Sequence, residues 1–300
     1  MLQITKEYKE KVLSKLLEIR KNFDGSDSAF AKQWGINNSV YSRLKNNEID
    51  GLLRDNQWLN IGRELEVSLK DRVWKMVKTE VFEVIEQDIV FCQEYAKGMI
   101  FVDECGIGKT YAAKYLSRTL KNCFYVDASQ AKTKQAFVRL LARTIGLESG
   151  KYLEMKANIK HYLKMLPNPI VIVDEAGDLE YNALLDLKEF WNGTENACGW
   201  YMIGADGLKE KINRGISSKK VGFRELFSRY SENFSSVVPN GNQERLQFYK
   251  NLVTAVASVN LTDKSMKNQV VNRCITIDAN GNIGGLRRLE AVMILTQKEV

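Results

Sequence analysis

Histidine is almost absent, with a single copy, His161, in 300 residues. Catalytic triads built on imidazole therefore have almost no material to work with. The five cysteines (Cys92, Cys105, Cys123, Cys198, Cys274) are odd in number, widely spaced and lack a C-x-x-C pair. That pattern argues against a disulfide framework and against a zinc site, and points to a reducing, cytoplasmic setting. Long apolar runs are missing too. Nothing approaches the length of a bilayer, and the opening MLQITKEYKEKV reads as a charged helix rather than a signal peptide, so no membrane partner is expected. Internal repeats and low-complexity stretches are also lacking. What remains is ordinary for a water-facing chain: 44% hydrophobic, 27% charged, with length for one large or two modest domains. A net charge of +7 favours a polyanionic partner without deciding for one.

The stretch that organises the chain is Met99 to Tyr115, MIFVDECGIGKTYAAKY. An apolar run breaks into Gly106-Ile107-Gly108-Lys109-Thr110 and continues at helical spacing through Ala112, Ala113, Leu116 and Leu120. Strand, glycine turn and helix N-terminus in that order suit a nucleotide's phosphates. Backbone N–H groups curl round the anion, a lysine reaches the outer phosphates and a threonine hydroxyl ligates Mg²⁺. The expected contact set is Glu104, Cys105, Gly106, Ile107, Gly108, Lys109, Thr110 and Tyr111. Asp103 stands where the full G-x-x-x-x-G-K-T pattern has its first glycine, and an acid there is unfavourable beside a triphosphate unless it turns away. A second half of the site decides against a chance surface turn. Pro169 to Asp178 reads PIVIVDEAGD, a β-branched strand ending in Asp174-Glu175. Two acids at an apolar strand tip suit a cation and a reaction: Asp174 for Mg²⁺, Glu175 for polarising the attacking water. ATP and Mg²⁺ are the expected cofactors.

Along the chain, an amphipathic helix is predicted over 3–22, then short helices over 28–34 and 38–45 around a Gly35-Ile36-Asn37 turn. These form a helix-turn-helix unit. Ala29, Phe30 and Trp34 are expected to bury against Val40 and Leu44. Asn38, Ser39, Tyr41, Ser42, Arg43 and Lys45 are expected to face outward, with Asn38, Ser39 and Arg43 meeting DNA; a plain helical cap is the alternative. A further helix over 52–65 buries Trp58 and Ile61. Residues 66–98 read as a largely helical approach, with 79–88 passing near an adenine. Strands are predicted over 123–127 and 199–203, helices over 109–121, 135–146, 151–165 and 179–191, and basic loops over 128–134 and 209–220. Past Pro239 only helices follow (243–257, 264–274, 285–297). Strand–helix alternation implies a parallel sheet with helices on both faces. His161 reads as a helix-surface residue, and Trp191, Trp200 and Tyr201 as core.

With both motifs, this order of elements and the helical C-terminus, the chain resembles an AAA+ ATPase over about residues 75–300. The helix-turn-helix at the front resembles the phage Mu B family of transposition proteins, with the TniB, TnsC and IstB helper ATPases as relatives. The resemblance implies an α/β AAA+ P-loop sheet over 71–238, a helix-turn-helix domain over 1–70 and a helical lid over 239–300. It implies Asp206 as the sensor 1 candidate in place of the usual asparagine. In Phe227-Ser228-Arg229 it implies an arginine finger, with Arg224 as second choice; a solvated or salt-bridged helix face is the alternative for both. It implies Arg287, in Gly285-Leu286-Arg287, as sensor 2. It places Lys132, Thr133 and Lys134 where duplex DNA would be gripped, unless they are merely solvated. The implied function is an ATP-dependent protein that oligomerises as a filament or ring on duplex DNA, largely without sequence preference, and presents it to a transposase. A helicase loader and a nucleotide-switched transcriptional regulator are the rivals, and Glu175 counts against a pure switch.

Overall fold

The computed structural model describes residues 4–21, 23, 25–65, 67–69, 74–147, 150–277 and 283–298. The expected boundary at 70/71 and the outermost positions of the 3–22 helix lie outside them.

Four helices come first: α1 (Lys6–Lys21), α2 (Asp27–Gln33), α3 (Asn38–Lys45) and α4 (Asp55–Glu64). Ser26 caps α2 by accepting the Ala29 N–H, and Asn37 caps α3 by accepting the Ser39 N–H, so both helices start where a short polar side chain can satisfy a free donor. Their apolar faces close on Val12, Leu16, Phe30, Ala31, Tyr41, Leu44, Trp58 and Ile61. Two expectations are corrected here. Tyr41 is fully buried rather than outward, because it lies one turn from Leu44 on the same face and packs on Phe30 at 5.5 Å between centroids. Ala29 is exposed and Ala31 takes the buried place: Phe30 fixes the inward face, and Ala29 falls on the capped, solvent-facing first turn.

Residues 74–79 carry no regular secondary structure and lead to α5 (Glu80–Tyr95), which starts only where the Thr79 hydroxyl accepts the Phe82 N–H. The helical reading of 66–98 thus holds for its second half. The sheet comprises β1 (Gly98–Val102), β2 (Cys123–Asp127), β3 (Ile170–Asp174), β4 (Gly199–Gly204) and β5 (Phe234–Ser235), all parallel, in the order β2-β3-β4-β1-β5. Successive residues point to opposite faces. Ile100, Val102, Val126, Val171, Val173, Trp200 and Met202 face α7 (Lys134–Thr144), α8 (Tyr152–Met165), α9 (Tyr181–Gly193), α10 (Asp206–Ser217) and α11 (Phe223–Arg229). Phe101, Cys123, Ile170, Ile172, Tyr201 and Ile203 face α5, α6 (Lys109–Thr119) and α12 (Asn242–Asn260). Helices α12, α13 (Lys267–Cys274) and α14 (Leu286–Lys298) share a separate cluster around Val253, Val256, Val270, Leu289 and Val292. The basic stretch 209–220 is not a loop: it is helical as far as Ser217, because Leu208, Ile212 and Gly215 recur at helical spacing toward the sheet. Strand β5 has no counterpart in the sequence reading. Trp200 and Tyr201 are core, as expected, and His161 is exposed. Among the described residues no helix is long and apolar enough to cross a membrane.

Candidate nucleotide site

Chain reversal after β1 makes a cradle. Gly106 and Gly108 adopt φ of +79° and +103°, where an L side chain is strained, and a Cβ on Gly108 would press on Leu286 at 3.2 Å. Ile107, between them, is fully buried and pins the turn to the core. Helix α6 begins at Lys109, so its free N–H groups open onto the turn. The Lys109 ammonium donates to the carbonyl oxygens of Asp103 and Glu104, both at 2.6 Å. Burial holds its pKa below the usual lysine range, and the negative groups around it, including Asp103, Asp174 and Glu175, pull it partly back. A cation held among acids on two weak backbone acceptors is poised to transfer to phosphate oxygens, which are stronger ones.

Asp103 does turn away. Its carboxylate is buried and accepts the N–H of Glu104 at 2.8 Å, of Val237 at 2.6 Å and of Val238 at 3.0 Å. The acid in the glycine position therefore works as a tether to the segment after β5. Glu104 also leaves the cradle: its carboxylate meets Arg245 and Tyr249 of α12.

At the tip of β3, Asp174 is buried, its Oδ1 accepting the Glu175 N–H and its Oδ2 the Tyr125 hydroxyl, both at 2.9 Å. Glu175 sits at φ +50°, a left-handed conformation costing about 1 kcal/mol or more for a residue with a side chain. Partial withdrawal from water, then the Asp174 charge, raise its carboxyl pKa. The following turn is braced from outside. Lys211 donates to the carbonyls of Gly177 and Leu179, and Lys132 pairs with Asp178 at 2.8 Å.

A cavity of about 220 Å³ brings the glycine turn to the tip of β3, where Glu175 lines it and Asp174 does not. Cys105, Gly106, Ile107, Gly108, Lys109, Thr110 and Tyr111 line it, with Glu175 and Arg287. Part of its wall was not read from the sequence: Trp74, Lys75 and Val77 from the segment before α5, Val256 from α12 and Glu290 from α14. Thr79 and Phe82 are the part of the expected 79–88 stretch that reaches it. The segment before α5 is held by Asn260, whose amide accepts the Lys75 N–H at 2.7 Å and donates to its carbonyl at 3.2 Å. Arg288 is tied to Thr276, while its neighbour Arg287 faces the cavity. The glycine cradle, the helix end and Lys109 fit a nucleotide's phosphates. Among the described residues no group of three or more His, Cys, Asp or Glu could hold a metal alone. Mg²⁺ would need the phosphates themselves beside Thr110 and Asp174.

Other candidates lie apart. Glu104 and Asp206 do not line the cavity, and Asp206 opens α10, exposed. Arg229 donates to Asn192 Oδ1 at 3.0 Å and lies over the Trp191 ring at 5.6 Å, whereas Arg224 is exposed. Thr133 caps α7, and Lys134 lies over the Tyr152 ring. Asn38, Ser39 and Arg43 are exposed on α3; the Ser39 hydroxyl donates to Asn37 and Arg43 pairs with Glu48 at 2.7 Å.

Residues 92–212, from the end of α5 into α10, match the family described as AAA domain. No curated protein gives a significant match. Among solved structures, the chain is similar to the Orc1 protein of Aeropyrum pernix in complex with DNA, at 14% identity and a TM-score of 0.54, covering 77% of this chain and 64% of that one. It is also similar to Cdc6p from Pyrobaculum aerophilum, at 11% identity and a TM-score of 0.54, covering 77% and 65%. The chain thus spans less than two thirds of the length of either, and at these identities the likeness is one of fold.

Proposed function

We propose that this chain is a Mg²⁺-dependent ATPase that assembles with copies of itself, as a filament or ring, on duplex DNA and delivers that DNA to a transposase. One observation carries the ATPase part: Lys109, Thr110 and Glu175, 65 residues beyond Thr110 in sequence, line one cavity. Lys109 and the Gly106–Thr110 N–H groups would take the phosphates, Thr110 and Asp174 the metal, and Arg287 the outer phosphate charge. Mg²⁺, when bound, offsets charge on the phosphoryl oxygens. Glu175, its carboxyl raised by its surroundings, suits the role of orienting and deprotonating a water. Completion by an arginine of a second copy, Arg229 or the exposed Arg224, would make turnover depend on assembly.

DNA binding is supported by the exposed polar face of α3 (Asn38, Ser39, Ser42, Arg43, Lys45) and by exposed Lys132, Thr133 and Lys134. Those three follow β2, whose last residue, Asp127, pairs in register with Asp174 of β3, so a phosphate drawn to this edge lies near the site of hydrolysis. Lysine–phosphate contacts carry affinity without sequence preference, which suits a protein that coats any target. The test is retention on random-sequence duplex and single-stranded DNA with and without ATP. We expect ATP-dependent duplex retention, lost in Lys109→Ala and trapped in Glu175→Gln. Retention by Lys109→Ala equal to wild type, or a strict preference for single strands, would overturn the reading.

A further inference from the structure

The cradle is fastened at three points in four residues to the chain that follows β5: to the segment before α12, to α12 and to the start of α14. Asp103 takes the backbone N–H groups of Val237 and Val238. The next residue, Glu104, is gripped on both carboxylate oxygens: Arg245 Nε lies 2.7 Å from Oε1, Arg245 Nη2 donates to Oε2 at 2.8 Å, and the Tyr249 hydroxyl donates to Oε2 at 2.6 Å. Burial would push the Glu104 carboxyl up, but these two partners outweigh it and hold it below the ordinary glutamate range. Third, the Gly106 carbonyl accepts the Leu286 N–H at 2.7 Å. The approach is so close that a Cβ on Gly285 would lie 2.7 Å from that oxygen, so only glycine fits.

Arg245 and Tyr249 are four residues apart and share one face of α12. Helix α12 in turn carries α14, through Val253, Val256 and Ala257 packed with Leu289, Val292 and Met293. The rotation of α14 is set by Arg288, which donates to the Thr276 carbonyl at 2.8 Å, and this leaves Arg287 toward the cavity. We propose that Arg245 and Tyr249 are positioning residues for the nucleotide: gripping Glu104, they fix α12 to the phosphate loop and so hold Arg287 over the phosphates. The inference rests on the nucleotide reading above. Lys109 joins the same device, because the carbonyls it holds belong to Asp103 and Glu104, whose carboxylates fasten the segment before α12 and α12 itself. A phosphate that draws Lys109 away therefore acts on the peptide bearing the Glu104 latch.

A double-mutant cycle between Arg245 and Arg287 separates positioning from general support of the fold. Affinity for Mg²⁺-ATP is measured by calorimetry on wild type, Arg245→Ala, Arg287→Ala and the double variant. We expect Arg245→Ala alone to weaken ATP binding about tenfold, that is about 1.4 kcal/mol, and to add almost nothing once Arg287 is gone. Tyr249→Phe keeps the buried ring and deletes only the hydroxyl; it should show the same dependence on Arg287 with folding intact. Equal losses in the presence and absence of Arg287, or unchanged affinity in both latch variants, would overturn the proposal while leaving the nucleotide site standing. A wild-type protein indifferent to ATP would overturn both.

Discussion

Asp103 shows how one residue can look wrong in sequence and be required in the fold. A glycine there would complete the motif, yet the carboxylate takes three backbone N–H groups that would otherwise lack a partner. Asp103→Gly is therefore expected to cost about 2–4 kcal/mol of stability without tightening ATP, as read from denaturant unfolding alongside nucleotide titration. That Lys109, Thr110 and Glu175 would come together on one cavity was legible because each motif is local. Asp103's role was not, since its partners Val237 and Val238 lie 134 and 135 residues away. Tyr125 was equally hidden: an aromatic residue in a strand reads as packing, yet its hydroxyl orients the Asp174 carboxylate. Tyr125→Phe should raise the Mg²⁺ concentration needed for half-maximal hydrolysis about tenfold while metal-free nucleotide binding stays unchanged. An unaltered Mg²⁺ requirement would remove Tyr125 from the site.

Elements were readable where a period repeats often enough. Strands β1 to β4 and their helices carry runs of five residues or more, and the parallel pairing they imply is present among those four. Strand β5, two residues long, cannot display an alternation, so nothing in the sequence marked it. Helix α10 reads as a basic loop in sequence because lysines, an arginine and two glycines outnumber Leu208 and Ile212, the apolar residues that turn it onto the sheet. Between α8 and α9 lies a further feature that no motif announces. Lys156, 5% exposed, donates to Asp186, 6% exposed, at 2.7 Å; Tyr152 bonds the second Asp186 oxygen, and Glu189 joins Lys156 to Lys160. Asp186→Ala leaves the buried Lys156 with Glu189 alone and takes the acceptor from the Tyr152 hydroxyl, so it is expected to destabilise the protein by about 3 kcal/mol. Lys156→Met combined with Asp186→Leu should recover most of that loss. A single variant that unfolds at the wild-type midpoint would contradict this view of the pair.

At the scale of the whole molecule, acid should weaken the protein in a defined window. Glu104 and Glu189 have folded pKa values below the ordinary 4.5, through burial outweighed by Arg245 and Tyr249 in one case and by Lys156 and Lys160 in the other. The unfolded chain then binds protons before the folded one does. Their contribution is full above about pH 4.5 and is lost as pH falls through the lower, folded values. Glu175 and Asp88, raised by burial first, act in the opposite sense: ionising them opposes folding, and protonation relieves that. Melting temperatures across pH 3 to 6 should thus fall on the acid side, and Glu189→Gln should flatten that fall. An acid limb identical in the variant would show that the Lys156–Lys160 bridge carries no linkage. The central claim, that a glycine turn and a pair of acids 65 residues apart make one triphosphate site, has a direct measurement in calorimetric titration of Mg²⁺-ATP into wild type and Lys109→Ala. One site per chain is expected in the wild type, weakened at least about thirtyfold in the variant. A wild-type titration without heat at several temperatures, or equal affinity in both proteins, would contradict it.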